Sequence, residues 1–143
     1  MYSSRKAKRS RQSIYWTKTF WGVFPLVDNY ADEEYFYLIA VHTGLRKSAG
    51  TKSRVSFCLS GEFNDTGVRQ LRDGIREANI FSFIYLLCFG FSSASLLYFV
   101  MACPGSLGPL QCLRIWIDNS EKSGDASWYL DRIDVTDIQT GHT

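Results

Sequence analysis

A glycine-rich basic loop is the segment of this chain that most resembles a binding motif. Residues 44–53 read Gly-Leu-Arg-Lys-Ser-Ala-Gly-Thr-Lys-Ser. A phosphate-binding P-loop places four residues between its glycines, then Lys and Ser or Thr, and it leads into a helix whose amides hold the phosphate. Here five residues separate Gly44 from Gly50, Thr51 precedes Lys52, and a strand-like run follows. The spacing and the next element therefore argue against nucleotide binding.

Side chains that catalyse reactions do not group at the spacings that an enzyme site needs. His42 and His142 have no partners at metal-ligand or triad spacing, and no Gly-x-Ser-x-Gly elbow occurs. Three carboxylates recur every three residues, at Asp131, Asp134 and Asp137. On a strand they alternate between faces, so we interpret them as a solvated edge rather than a catalytic pair. We expect no enzymatic activity and no small-molecule substrate.

Metal and redox motifs are weak. The four cysteines lack Cys-x-x-Cys spacing, and we expect them to be free, structural thiols. Asp118, Asn119 and Asp125 offer the hard oxygen ligands that suit calcium. The same residue types are typical of a turn in which Asp and Asn bond their own backbone. Calcium stays an alternative to such a turn, and no other cofactor is expected.

The charges are balanced in number but segregated along the chain. Sixteen basic and fourteen acidic residues leave a net charge of +2, which argues against a nucleic-acid partner. Residues 1–18 carry six bases and no acid, residues 28–34 carry four acids, and residues 46–54 carry four bases. Residues 78–113 carry no charge at all. This neutral gap is the strongest anomaly in the sequence.

Alternating and β-branched segments predict a sheet protein. Residues 54–60 place Val55, Phe57 and Leu59 on one face and polar residues on the other, as a half-buried strand does. Further strands are predicted at 35–41, 68–72, 110–117 and 128–135, the last with Tyr129, Asp131, Ile133 and Val135 on one face. Helical periodicity is unconvincing outside the neutral gap. The pattern predicts an antiparallel β-sandwich.

The amino-terminal region differs from the rest in composition. Residues 1–30 begin with a polar, basic stretch that is no signal peptide, and then interleave aromatic residues with lysines, including Trp16 and Trp21. Such interleaving suits a membrane interface, and it equally suits a flexible arm whose tryptophans dock on the domain. We therefore divide the chain into an arm at residues 1–30 and a domain at 35–143.

Five motifs, in order, resemble the PLAT domain of polycystin-family membrane proteins, a module that lipoxygenases, some lipases and bacterial alpha-toxin share. They are the Thr-Gly…Ala-Gly-Thr loop at 43–51, Leu-Gly-Pro-Leu at 107–110, Leu-Arg-Ile-Trp-x-Asp-Asn at 113–119, Ser-Trp-Tyr-Leu at 127–130 and Asp-x-Gln-Thr-Gly at 137–141. The resemblance implies a sandwich of two four-stranded sheets and no catalysis. It also implies a place in a cytoplasmic loop, just after a membrane span.

The neutral gap departs from this family pattern. Residues 79–98 replace an expected strand, so the sandwich is expected to be incomplete, with a hydrophobic, possibly helical insert. The uncharged run at 80–103 is long enough for a helix of about 36 Å, against a bilayer core of about 30 Å. We consider a membrane span at about 80–101, a buried helix or strand pair, and a foreign segment joined in frame. The abrupt exit from family sequence and return to it favours the third.

Two functional hypotheses follow. In the first, the chain is a non-catalytic module that binds anionic lipid or a membrane-protein partner at the cytoplasmic side of a membrane, within a polycystin-like channel or receptor. The candidate binding residues are Arg46, Lys47, Lys52, Arg54 and Trp128. The bases equally suit a solvated loop, and for Trp128 packing between the sheets is slightly favoured over lipid contact. In the second hypothesis the chain is an integral membrane fragment held by the span at 80–101.

Overall fold

Seven strands form the part of the chain that the structure describes, which is a computed structural model covering residues 23–72, 91, 93–118 and 127–143. The strands are β1 (Val23–Pro25), β2 (Tyr35–Thr43), β3 (Val55–Gly61), β4 (Arg69–Gln70), β5 (Leu96–Cys103), β6 (Leu110–Ile117) and β7 (Leu130–Asp137). The run predicted at 110–117 coincides with β6, the runs at 35–41, 54–60 and 128–135 overlap β2, β3 and β7, and the predicted edge strand contains β4. No helix occurs among these residues.

The strands form two sheets, in the orders β1-β5-β2-β7 and β4-β3-β6. β1 lies parallel to β5, and the other pairings are antiparallel. The predicted β-sandwich is therefore confirmed. Two four-stranded sheets were expected, and the described residues supply four strands to one sheet and three to the other.

The core lies between the two sheets and consists of the side chains that every second residue of a strand directs inward. In β3 the inward side chains Val55, Phe57 and Leu59 are at most 2% exposed, whereas the residues between them are half-buried. β2 contributes Tyr37 and Ile39 in the same way. The Tyr37 hydroxyl accepts a hydrogen bond of 2.9 Å from the Leu107 amide, which ties the Leu-Gly-Pro-Leu motif to the core.

A buried arginine links the two sheets. Arg69 in β4 is 8% exposed. Its guanidinium donates to the Asp28 carboxylate at 2.9 Å, to the Asn29 side-chain oxygen at 2.8 Å and to the Ala102 carbonyl of β5 at 3.0 Å. The Asp28 carboxylate neutralises the buried cation, and the other two oxygens replace the hydrogen bonds that it would make with water.

A bulge in β7 is not visible in the sequence pattern. The β2–β7 register shifts between His42 and Thr43, which leaves Asp131 as an extra residue. Leu130 consequently packs on the core. The predicted face, which grouped Tyr129 and Asp131 with the inward residues of this strand, is wrong because it assumed an uninterrupted period of two. The inward residues that follow the bulge are Ile133 and Val135.

The carboxylates of β7 differ in their surroundings. Asp137 is 9% exposed and accepts hydrogen bonds from the Tyr35 hydroxyl at 2.7 Å and from the amides of Gln139 and Thr140. Burial alone raises the pKa of Asp137, but these hydrogen bonds outweigh it and hold the pKa below its ordinary value of 3.8. Asp134 pairs with Arg132 at 3.0 Å. The interpretation as a solvated edge is therefore wrong for Asp137, whereas Asp131 is exposed on the edge strand β7.

The carboxyl-terminal part of the apolar segment is a strand. Leu96–Cys103 forms β5, which lies between β1 and β2, and Phe99 and Met101 face the core. A helical span that continued to residue 101 is therefore incompatible with the structure. Among the described residues no helix is long and apolar enough to cross a membrane. Residues 79–90 of the segment, like most of the amino-terminal arm, lie outside the described part, so the proposed domain boundaries stay predictions.

Candidate functional site

One end of the sandwich gathers the basic loop, and we call it the loop end. β2 finishes there at Thr43 and β3 begins there at Val55, with residues 44–54 between them. Because β5 and β7 run antiparallel to β2, Leu96 and Leu130 also lie at this end. Loops from distant parts of the chain are therefore brought together at this one end.

The loop reaches its tip in a tight turn. The Ala49 amide donates to the Arg46 carbonyl at 3.0 Å, and Ser48 adopts a left-handed backbone with a φ of 62°. Leu45, Arg46, Lys47 and Ser48 are all exposed. Among the residues that the structure describes, Leu45 is the most exposed of the large apolar ones, at 87%. The exposed tip therefore carries a leucine side chain next to two cations.

Tyr129 supports the tip from the neighbouring loop. The Gly44 amide donates to the Tyr129 carbonyl, and the Tyr129 amide donates to the Ala49 carbonyl, both at 2.9 Å. The Arg46 guanidinium lies 4.6 Å from the centre of the Tyr129 ring, within cation–π distance. A Cβ atom on Gly44 would lie 2.3 Å from the ring, so glycine is required for this packing.

The four candidate bases divide into two pairs. Arg46 and Lys47 lie at the tip, whereas Lys52 and Arg54 lie on the segment that returns to β3. All four are exposed. The Arg54 backbone is fixed by Asp118, whose carboxylate accepts from the Arg54 amide at 3.0 Å. The structure therefore places the four predicted bases in one loop, with the first pair beside exposed apolar side chains.

Trp128 packs inward. Its ring centre lies 4.8 Å from that of Phe91, and its indole nitrogen donates to the Thr43 hydroxyl at 3.2 Å. Trp128 also packs against the hydrophobic core. Of the two roles that the sequence left open, this placement supports core packing. The adjacent Tyr129 is 48% exposed and takes the outward position.

A shallow cavity of about 470 Å³ lies at the loop end. It is lined by Leu45, Arg46, Leu96 and Tyr129, among others. Three of these side chains are exposed apolar or aromatic groups. The sequence analysis missed Leu45 and Tyr129. Leu45 could have been predicted to be exposed, because it stands alone between a turn glycine and two bases. Its neighbours show no alternation that would place it in the core.

The opposite end carries acids, and we call it the acidic end. It contains residues 28–34, 61–68 and 103–109, and a cavity of about 420 Å³ lined by Asp28, Glu33 and Asp65 among others. Asp28 is paired with Arg69 at 2.9 Å. Glu33 is 7% exposed and accepts from the Tyr30 amide at 2.9 Å. These carboxylates are therefore engaged in holding turns and strands.

The described residues contain no group of three or more His, Cys, Asp or Glu side chains arranged as metal ligands. For the calcium alternative, Asp118 bonds the backbone of Arg54 through both its carboxylate and its amide. Asn119 and Asp125, the other two residues of that alternative, lie outside the described residues. Calcium binding therefore stays untested at this position.

Comparison with solved structures defines the class of fold. Crystal structures of lipoxygenase (LOX) variants superimpose with a TM-score of 0.57 at 19% identity, covering 73% of this chain and 13% of theirs. The likeness shows the fold alone. Together with the two-sheet topology, it defines the chain as a PLAT-like β-sandwich.

Comparison with curated proteins identifies the family. No family model matches the chain. It is 38% identical over 118 residues to location of vulva defective 1 of Caenorhabditis elegans, and 32% identical over 118 residues to polycystin-1-like protein 1 of Oryzias latipes. It is 34% identical over 107 residues to polycystin-1 of Homo sapiens. These matches cover 75% to 82% of the chain, which belongs to the polycystin family.

The chain corresponds to a small part of each of these relatives, 2% to 4% of their length. The family assignment therefore concerns the PLAT-like domain. It confirms the resemblance to the polycystin family.

Proposed function

We propose that the chain is a non-catalytic PLAT module that attaches a polycystin-family protein to anionic lipid at the cytoplasmic face of a membrane. The observation that carries this proposal is the tip of the loop end, where exposed Leu45 adjoins exposed Arg46 and Lys47. The polycystin and receptor names of the relatives support a non-enzymatic role. The proposed location is membrane-associated, on the cytoplasmic side.

The charges at the loop end suit a headgroup surface. Each Lys or Arg close to an anionic bilayer contributes about 1 kcal/mol, and the attraction falls off within a Debye length. Arg46, Lys47, Lys52 and Arg54 are exposed within nine consecutive residues. The two cations at the tip, Arg46 and Lys47, would together account for about 2 kcal/mol, which by itself gives weak, salt-sensitive binding.

Apolar side chains at the same end supply a second contribution. Leu45 is 87% exposed, Tyr129 is 48% exposed and Leu96 is 42% exposed. Tyrosine is typical of membrane interfaces, because its ring is apolar and its hydroxyl polar. Transfer of a leucine side chain out of water is favourable by about 2 kcal/mol. Insertion of Leu45 between headgroups would therefore add a salt-resistant part to the binding.

The direction of β1 supports the orientation. β1 runs parallel to β5, with Val23 opposite Tyr98. Since Tyr98 lies two residues from Leu96, the chain enters the described fold from the side of the loop end. The amino-terminal end of β1 and the basic loop therefore lie toward the same end of the sandwich, which suits a module tethered to a bilayer at that end.

A salt series of vesicle flotation tests this function. The full 143-residue chain would be floated with vesicles of phosphatidylcholine alone or with phosphatidylserine, at 50 mM and 500 mM salt. We expect binding only with phosphatidylserine, and most of it lost at high salt. Lys47→Glu should weaken binding at low salt by about tenfold or more. Arg114→Glu, with the same charge change on the sheet face, is the matched control and should bind normally.

Three other results would contradict the proposal. Equal loss with Arg114→Glu would mean that net charge rather than the loop end sets binding. Binding to neutral vesicles that survives high salt would favour the integral-membrane alternative, held by the apolar segment. Absence of lipid binding would favour a membrane-protein partner for this end.

A further inference from the structure

Two cysteines lie on the same face of the three-stranded sheet, away from the core. Cys58 is in β3 and Cys112 is in the neighbouring antiparallel strand β6. Cys58 alternates with the buried residues Phe57 and Leu59, so its side chain points to the opposite face. Cys58 is half-buried, Cys112 is exposed, and both are free thiols.

The register makes these thiols diagonal neighbours. Cys58 is opposite Arg114, and Ser60 is opposite Cys112. Diagonal neighbours on one face of an antiparallel pair have Cα atoms about 7–8 Å apart, with the Cβ atoms closer. A disulfide needs about 4.4–6.8 Å between Cα atoms. Closing the gap therefore requires the two strands to approach by on the order of 1 Å.

A bulge beside Cys112 gives the strand room to make this movement. The register shifts between Ser60 and Gly61, because Ser60 is opposite Cys112 whereas Gly61 is opposite Leu110. Gln111 is thus an extra residue in β6, and bulges bend a strand and increase its local twist. Among the described strands β6 also pairs on one side only, with β3. This combination makes Cys112 the more movable of the two thiols.

From this placement we propose that Cys58 and Cys112 form a reversible dithiol–disulfide pair that staples β6 to β3. With a glutathione-type disulfide as oxidant, one thiolate attacks the oxidant, releases one reduced thiol and forms a mixed disulfide. The second thiolate then attacks the protein sulfur and releases the second reduced thiol. Two protein thiols are oxidised and one small disulfide is reduced to two thiols.

Arg114 is placed to assist an anionic oxidant. It lies opposite Cys58 and two residues from Cys112 on the same face, and it is exposed. Its guanidinium can hold the carboxylate of a glutathione-type disulfide beside both sulfurs. Because the two strands have to approach each other for the sulfurs to bond, the resulting disulfide is strained. Strained, exposed disulfides are readily reduced.

The other thiol that the structure describes is protected from this chemistry. Cys103 at the end of β5 is 2% exposed, and burial raises its pKa to about 11. The thiolate is the attacking species, so Cys103 reacts slowly at neutral pH. Cys88 lies outside the described residues, and replacing it by Ser in the test chain removes it as an alternative partner.

The test measures linkage in the full chain carrying Cys88→Ser. The chain would be equilibrated with mixtures of oxidised and reduced glutathione, alkylated and digested, and its linked peptides sequenced by mass spectrometry. We expect one Cys58–Cys112 link that reverses in excess reduced glutathione and raises Tm by about 5 °C or more. Cys58→Ser and Cys112→Ser should each form only a glutathione adduct at the remaining thiol.

The contribution of Arg114 has its own readout. Arg114→Ala should slow oxidation by glutathione disulfide several-fold, and leave oxidation by neutral hydroxyethyl disulfide unchanged. Arg114→Lys should retain most of the rate with both. The pair is disproved if both thiols carry glutathione adducts at every ratio with no link, or if the link joins Cys103 instead.

Discussion

The two ends of the sandwich are both built of loops, yet they use their charges in opposite ways. At the acidic end two carboxylates serve the fold: Asp28 binds Arg69, and Glu33 caps a turn from a position that is 7% exposed. At the loop end, Arg46 and Lys47 project from an exposed tip beside Leu45. Charge density alone therefore does not identify a binding surface. What distinguishes the loop end is exposed basic charge next to exposed apolar area, since the exposed charges at the acidic end are negative.

The largest expected effect is a loss of folding stability when Arg69, next to the acidic end, is replaced. Arg69→Ala removes a buried guanidinium and leaves Asp28, Asn29 and the Ala102 carbonyl without their donor. We expect the free energy of unfolding to fall by about 3 kcal/mol, measured by urea denaturation. The exposed Arg114→Ala should change it by less than about 0.5 kcal/mol. A similar loss in both variants would mean that the network at Arg69 is unimportant.

A smaller effect is expected when the apolar tip is changed. Leu45→Ser should weaken binding to phosphatidylserine vesicles by about tenfold, because it removes roughly 1–2 kcal/mol of transfer free energy. The reduction should persist at high salt. Val68→Ser, at a residue that is 66% exposed at the acidic end, is the matched control and should bind as the wild type does. Equal weakening in both would show that the two ends do not differ.

Gly44→Ala tests the support of the tip. The new Cβ would lie 2.3 Å from the Tyr129 ring, so the ring has to leave its position against Arg46. We expect vesicle binding to fall a few-fold and the free energy of unfolding to fall by about 1 kcal/mol. Gly105→Ala has open space around it and should change neither. Unchanged binding in Gly44→Ala would show that the tyrosine contact is dispensable.

The smallest expected effect concerns pH at the acidic end. The pKa of Asp137 is lowered in the folded chain, so its contribution to stability is present above its ordinary value of 3.8 and is lost as pH falls below that value. Asp137→Asn should therefore flatten the acid part of a plot of unfolding free energy against pH, with vesicle binding at neutral pH unchanged. An identical acid dependence in both chains would remove Asp137 from this account.

Much of the fold could be predicted from the sequence because it rests on local alternation. The pattern of Val55, Phe57 and Leu59 predicted β3 and its buried face correctly. The features that escaped depend on pairing between distant segments. Asp131 is an extra residue only in the pairing of β7 with β2, which the sequence of β7 does not show. It places Tyr129 on the face opposite to the one predicted.

The candidate site shows the same limit. The four bases could be chosen as candidates because they stand together in the sequence, and their role stays a prediction, whereas the ordered motifs were sufficient to predict the family. For Trp128 the sequence left core packing and lipid contact open, and Tyr129 was grouped with the wrong face. Which of the two faces the core is decided by the β7 bulge and by Phe91, from a distant part of the chain. The beginning of β5 at Leu96 escaped because its pairing with β2 outweighs the helix-like apolar composition around it.

Hydrogen–deuterium exchange of the full chain, with and without phosphatidylserine vesicles, tests most directly which end meets the bilayer. The account predicts that vesicles slow exchange in peptides covering residues 44–54 and 127–129. Exchange in peptides covering 61–68 and 103–109 should stay the same. Protection at the acidic end, or vesicle binding without any protection at the loop end, would contradict the assignment of the loop end as the membrane-facing surface.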